Sequence, residues 1–103
     1  MPSSLHIINN LFEMQVKVRD AGGPESLERN FTRLFNLFEE DGFVVQDPTG
    51  ESYTDTRTDC EASISGRLGS KLTITRTIKP VIYQRVDNKM QLLQKAVVIV
   101  ESK

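Results

Sequence analysis

One cysteine, one histidine and no tryptophan leave this 103-residue chain little of the usual equipment for chemistry. A lone thiol, Cys60, cannot form an intramolecular disulfide, and it points to a reducing, cytoplasmic compartment. Neither charge is in excess. Thirteen Lys and Arg stand against fourteen Asp and Glu, a net charge of −1, which argues against a nucleic-acid or anionic-membrane partner. No apolar run approaches the roughly 20 residues that cross a bilayer. The opening MPSSLHIINN has no basic stretch followed by an apolar one, so it is not expected to be a signal peptide. Apolar residues make up only 38%, enough for one domain with a modest core, and a core that small favours association.

The same scarcity limits the sites. Zinc needs three or four clustered N, S or O ligands, and only His6 and Cys60 offer N or S. Asp47, Glu51, Asp55, Asp59 and Glu61 are numerous, but their spacing is not that of an EF-hand loop, so no metal is expected. Cys60 as a nucleophile needs an oriented histidine base, and His6 is far away in sequence. A buried strand cysteine is the simpler reading. ISGRLGS has two glycines but is flanked by strand patterns on both sides, whereas a phosphate cradle leads into a helix. The expectation is a protein with no cofactor, no metal and no catalytic residue.

What is present is patterned. In SSLHIINNLFEMQVKVRD, Leu5, Ile8 and Phe12, then Gln15 or Val16, recur at helical spacing, with Ser3 or Ser4 placed to cap. Ile7, Leu11, Met14 and Val18 form a second, adjacent stripe. Gly22-Gly23-Pro24 ends this helix. A second begins at Pro24-Glu25, and Leu27, Phe31, Leu34 and Phe38 follow at intervals of four, three and four, widened by Phe35 and Leu37. The stripe reads as core packing before it reads as a ligand pocket. The short link predicts an antiparallel helical hairpin. Two helices cannot bury so broad a face alone. A second copy would complete a four-helix bundle through Leu5, Ile8, Leu11, Phe12, Leu27, Phe31, Leu34 and Phe38.

After Gly42 the period changes to two. FVVQ is a short strand, and Asp47-Pro48-Thr49-Gly50 is a turn. Cys60, Ala62 and Ile64 alternate with polar residues, and a loop follows at Gly66-Arg67-Leu68-Gly69-Ser70. KLTITRTI places Leu72, Ile74 and Ile78 on the apolar side. Pro80 marks an edge or a bulge, VIYQRV resumes the strand, and Asp87-Asn88-Lys89 turns it. MQLLQKAVVIV is the last strand, with Val97 to Val100 buried on both faces. The reading is α+β: a helical hairpin over residues 1–42 and a small antiparallel β-domain over 43–103.

Several short motifs stand in order. Glu39-Glu40-Asp41-Gly42-Phe43 closes the helical pair, Pro48-x-Gly50-Glu51-x-Tyr53 follows, then Cys60-Glu61-Ala62, and finally Ala96-Val97-Val98-Ile99-Val100. This series resembles the GrpE family, nucleotide exchange factors of DnaK-type chaperones. In that family a Pro-x-Gly-Glu-x-aromatic turn enters the β-domain, a His-Glu-Ala triplet starts a strand, and an Ala-x-Val-x-Val strand closes the sheet. The resemblance implies a homodimer that binds a DnaK-type chaperone or a DnaK-like paralogue and promotes ADP release. It also implies that Pro48, Gly50, Glu51 and Tyr53 form a structural turn. By family position, Glu25, Ser26 and Arg29 at the second helix and Asn88, Lys89 and Gln91 at the last hairpin would face the partner. Cys60 replaces the family's histidine, Lys79-Pro80 a Lys-Gly, Met90-Gln91 a chaperone-facing Gly-Arg, and Ser26 a glycine. The family's long paired helix is not in this sequence, so functions of that stalk are not expected. Two rivals remain: an adaptor that kept the scaffold without exchange activity, and a small enzyme using Cys60.

Overall fold

The structure, a computed structural model, describes residues 3–66 and 71–102. Two helices, α1 (Ser3–Asp20) and α2 (Glu25–Glu40), precede seven strands: β1 (Phe43–Gln46), β2 (Ser52–Tyr53), β3 (Cys60–Ser65), β4 (Leu72–Lys79), β5 (Val81–Val86), β6 (Lys89–Gln94) and β7 (Ala96–Ser102). The fold is α+β, a helical hairpin followed by a β-domain. Helix α1 already includes Ser3 and Ser4, so its capping position lies outside the described residues. Of the expected loop at 66–70, only Gly66 is within the described residues.

The end of α1 shows why two glycines are needed. The Gly23 amide donates to the Val18 carbonyl at 2.8 Å and the Gly22 amide to the Arg19 carbonyl at 3.0 Å, a Schellman closure. Gly22 has φ of 70°, and a Cβ on Gly23 would sit 2.5 Å from a Val18 methyl. The chain therefore reverses tightly and α2 begins at once.

From β4 to β7 the chain is one long hairpin. Leu72↔Ser102 through Lys79↔Val97 pair on one side of a break, and Ile82↔Gln94 through Val86↔Lys89 on the other. The turn at Asp87 and Asn88 has φ of 51° and 66°, both positive, as a two-residue type I′ connection requires. The two arms break opposite each other, at Pro80 and Lys95. Proline has no N–H to give to the ladder, so both arms leave one sheet and enter another. The result is a three-stranded sheet, β1-β5-β6, and a four-stranded sheet, β2-β4-β7-β3. The sequence pattern suggested a single last strand, but Lys95 divides it into β6 and β7. Pro80 was expected at an edge or a bulge, and it is buried at the sheet switch.

Two further expectations change. The β-domain is not purely antiparallel, because β3 runs parallel to β7, with Cys60↔Ala96 through Ser65↔Glu101 in register. Ile78 is exposed while Thr77 is buried. Register shifts between Ile74 and Arg76, and between Thr77 and Lys79, turn the alternation over along β4. In β7 Ala96, Val98 and Val100 are fully buried, with Val97 and Ile99 half-buried on the other side.

The core between the sheets joins Cys60, Ile74, Val81, Ala96, Val98 and Val100, with Tyr53, Ala62, Leu72 and Tyr83 packed against it. On the helix side, Ile8, Phe12 and Gln15 form the buried stripe of α1, and Phe31 is buried from α2. Phe38 meets Phe43 of β1 edge to face, centroids 6.4 Å apart. Helix α1 is tied to the sheet break itself. The Gln94 amide donates to Asn9 Oδ1 at 2.9 Å and to the Pro80 carbonyl at 2.9 Å, and Asn9 Nδ2 donates back to Gln94 Oε1 at 2.8 Å. Gln94→Ala orphans Asn9 and the Pro80 carbonyl. It is expected to cost about 1–3 kcal/mol in urea unfolding. A double-mutant cycle with Asn9→Ala should show coupling of roughly 0.5 kcal/mol or more.

Candidate functional site

The segment between β1 and β3 carries the densest polar bonding. Asp47 starts it: its Oδ1 accepts from the Thr49 amide at 3.0 Å and from the Thr49 hydroxyl at 2.7 Å. The Thr49 hydroxyl also lies 2.8 Å from that of Thr77, which satisfies a buried group on β4. Pro48 is buried beneath this turn. Gly50, with φ of 92°, donates to the Ile74 carbonyl at 2.7 Å, and the Ile74 amide returns to the Glu51 carbonyl at 2.9 Å. Tyr53 then enters β2 and packs on the core.

Arg57 closes the loop. Its guanidinium donates to Asp59 at 2.8 and 3.2 Å, to Glu51 at 2.8 Å and to the Ser52 carbonyl at 3.1 Å. Bidentate pairing of this kind fixes geometry as well as charge. The bonds to Asp59 and Glu51 hold the arginine firmly protonated, and the bond from Arg57 holds the Asp59 carboxyl below its usual value. Sequence reasoning did not single out Arg57. The available signal was that it is the one base among eight acids from Glu39 to Glu61.

Cys60 lies next to this cluster and is buried. Burial pushes its thiol up, and nearby Asp59 and Glu51 add to that against the opposing pull of Arg57. A raised thiol is a poor nucleophile. His6 is on α1, beside Asn9, Asn10, Glu13, Ile78 and Lys79, and contributes nothing to the surroundings of Cys60. Among the described residues, no group of three or more His, Cys, Asp or Glu is placed to hold a metal ion. The cluster can brace a loop, and it contains no nucleophile with a base.

The expected partner residues lie on two separate exposed sites. Glu25, Ser26 and Arg29 are exposed on the first turns of α2, and Asn88, Lys89 and Gln91 at the β5–β6 turn. Among the described residues, no hydrogen bond or ion pair joins the two sets. Of the eight residues expected between copies, Ile8, Phe12 and Phe31 are buried inside the single chain. Helix α1 packs on β4, α2 packs on β1, and the two helices pack on each other. Leu5, Leu11 and Phe38 are half-buried, and Leu27 and Leu34 are exposed. The helices hold each other through Gln15 to Glu28 at 3.2 Å and Arg19 to Glu28 at 2.9 and 3.2 Å.

Two measurements check this site. Alkylation of Cys60 is expected to be slow in the folded protein and fast in denaturant. The Asp59 contribution has a definite sign: a carboxyl lowered by folding stabilises above its unfolded value of about 3.9 and loses that stabilisation as pH falls through the folded value. Wild type is therefore expected to exceed Asp59→Asn in stability at neutral pH, with the gap narrowing below about pH 4.

No helix among the described residues is long and apolar enough to cross a membrane. The chain matches no family model, and it has no significant match among curated proteins or solved structures.

Proposed function

We propose that this chain is a GrpE-like co-chaperone that binds the ATPase domain of a DnaK-type chaperone and promotes ADP release. The observation that carries the reading is the pairing of its motifs. Cys60-Glu61-Ala62 and Ala96-Val97-Val98 are far apart in sequence, yet they lie in register on adjacent parallel strands. The Pro48-x-Gly50-Glu51-x-Tyr53 turn docks on β4, the strand between β2 and β7. The segments of the resemblance thus belong to one packed unit.

The mechanism is mechanical. A β-domain docked on the open form of a nucleotide cleft lowers nucleotide affinity by the coupling free energy it gains there. Exposed Glu25, Ser26 and Arg29, and Asn88, Lys89 and Gln91, are the proposed contacts. A homodimer is part of the proposal. Ile7 and Met14 on α1 and Leu27, Leu34 and Leu37 on α2 leave apolar surface open on the helical hairpin. A second copy would cover it as a four-helix bundle. The single cysteine fits a reducing, cytoplasmic setting. A second reading, an adaptor without exchange activity, is favoured by Met90-Gln91 and Ser26, which stand where the family has Gly-Arg and Gly.

Linkage supplies the test. The chain is expected to form a complex with a nucleotide-free ATPase domain, and added ADP should weaken that complex. A complex indifferent to ADP would favour the adaptor. Light scattering is expected to give the mass of a dimer, reduced to that of a monomer by Leu34→Asp with Leu37→Asp.

A further inference from the structure

Four strands lie at the outside of the two sheets: β1, β6, β2 and β3. An outer strand leaves a row of backbone groups unpaired, and proteins blunt such edges by shortness, bulges, lysine, proline or a covering helix. Strand β2 has two residues, and β1 has four with α2 packed against it. Strand β6 carries Lys89 and a register shift against β5. Strand β3 has none of these devices. It runs for six residues, CEASIS, pairs with β7 without a shift, and contains no lysine or proline. Among the described residues, its backbone ladder is with β7 alone.

The side chains restrict what can fit beside it. Cys60, Ala62 and Ile64 share the core face with Ala96, Val98 and Val100 of β7. All three β7 residues are fully buried, but along β3 the cover falls away, from Cys60 at 7% exposed to Ile64 at 46%. With Val100 beside it fully covered, the open surface of Ile64 lies on the flank away from β7. Glu61, Ser63 and Ser65 take the other face and are exposed. The two strands carry two carboxylates, Glu61 and Glu101, and no base. Glu101 accepts from the Thr75 hydroxyl at 2.8 Å. Glu61 forms no ion pair among the described residues, not even with Lys95 just before β7.

We infer that the outer edge of β3 takes up an extended peptide segment as an added strand, and that this segment carries a basic and an apolar residue three positions apart. Only extended backbone completes an open ladder, and side chains at alternate positions then give selectivity. Glu61 and Ile64 are three residues apart and on opposite faces, so their partners must be too. The base answers Glu61, and the apolar residue covers Ile64. A second copy does not supply this. Two-fold pairing about Ser63 sets Glu61 opposite Ser65, and β3 itself brings no base. The inference does not depend on the proposed chaperone docking, which uses other residues.

The test uses the full chain and a fluorescein-labelled peptide, Thr-Val-Thr-Val-Lys-Thr, followed by anisotropy. Antiparallel to β3, its first valine meets Ile64 and its lysine meets Glu61. Saturable binding is expected. N-methylation of one alternate set of peptide amides should abolish it, and methylation of the other set should not, because only one set faces β3. Replacing the peptide lysine by glutamate should weaken binding about threefold or more, and Glu61→Lys in the protein should restore it. Ile64→Ser should weaken the original peptide by a similar factor, with unchanged thermal unfolding as the control for folding. Equal binding of the lysine and glutamate peptides, or equal tolerance of the two methylated sets, would overturn the inference. So would no binding to wild type. A dimer that survives Leu34→Asp with Leu37→Asp, and becomes a monomer when Ile64→Asp is added, would overturn it by placing a second copy on the edge.

Discussion

The paired break at Pro80 and Lys95 is the constraint on which the architecture depends. Without it, β4–β5 and β6–β7 would continue as one long two-stranded ribbon, and such a ribbon has little core of its own. The break turns the ribbon into parts of two sheets, and Val81 and Tyr83 then reach the core that β4 and β7 build. A break exposes backbone groups that the ladder no longer satisfies. Gln94 accepts that role at the Pro80 carbonyl and uses the rest of its amide on Asn9. Burial of Ile8 and Phe12, about 1.5–3 kcal/mol each, supplies most of the drive to dock α1. The amide pair adds less energy but fixes where along the sheet the helix sits, because a shifted helix would leave both amides unpaired.

The joint between helices and sheet follows the same logic at smaller scale. Asp47, Thr49 and Thr77 form a chain of hydrogen bonds that attaches the turn to β4. Arg57 then holds Glu51 and Asp59, so a polar stretch without regular structure acquires a defined course into β3. Both ion pairs are partly solvated and contribute modestly. Their effect is to place Cys60 in register beside Ala96.

Much of this was legible in the sequence. The helices, the glycine exit at Gly22, the turn at Asp47 to Gly50 and the Asp87-Asn88 reversal depend on local chemistry, and local chemistry is what periodicity reports. The broad apolar face of the helical pair was legible too, but not which of its residues the single chain buries. Ile8, Phe12 and Phe31 are buried within the chain, and α1 is anchored at the Gln94 corner. The rest required tertiary information. The parallel β3–β7 pairing joins segments far apart in the chain. The inversion of Thr77 and Ile78 comes from bulges that alternation does not record. Arg57 was visible only as a lone base among acids, and its partners depend on the loop course. The candidate contacts on α2 and at the β-hairpin were placed by family position, and the apolar character of the hairpin tip emerged only from exposure and register.

Under the proposed function this protein acts through its surface. The turn and loop with the densest polar bonding are braced by Arg57 and Thr49, while exposed apolar groups collect on the helical hairpin and the β5–β6 tip. If that surface holds open the nucleotide cleft of a DnaK-type ATPase domain, the nucleotide must leave faster in its presence. The direct measurement is the release of fluorescent ADP from that domain, followed by rapid mixing with and without this protein. The account predicts a release rate that rises with protein concentration to a plateau. A rate that stays flat at concentrations where the two proteins are bound would contradict it.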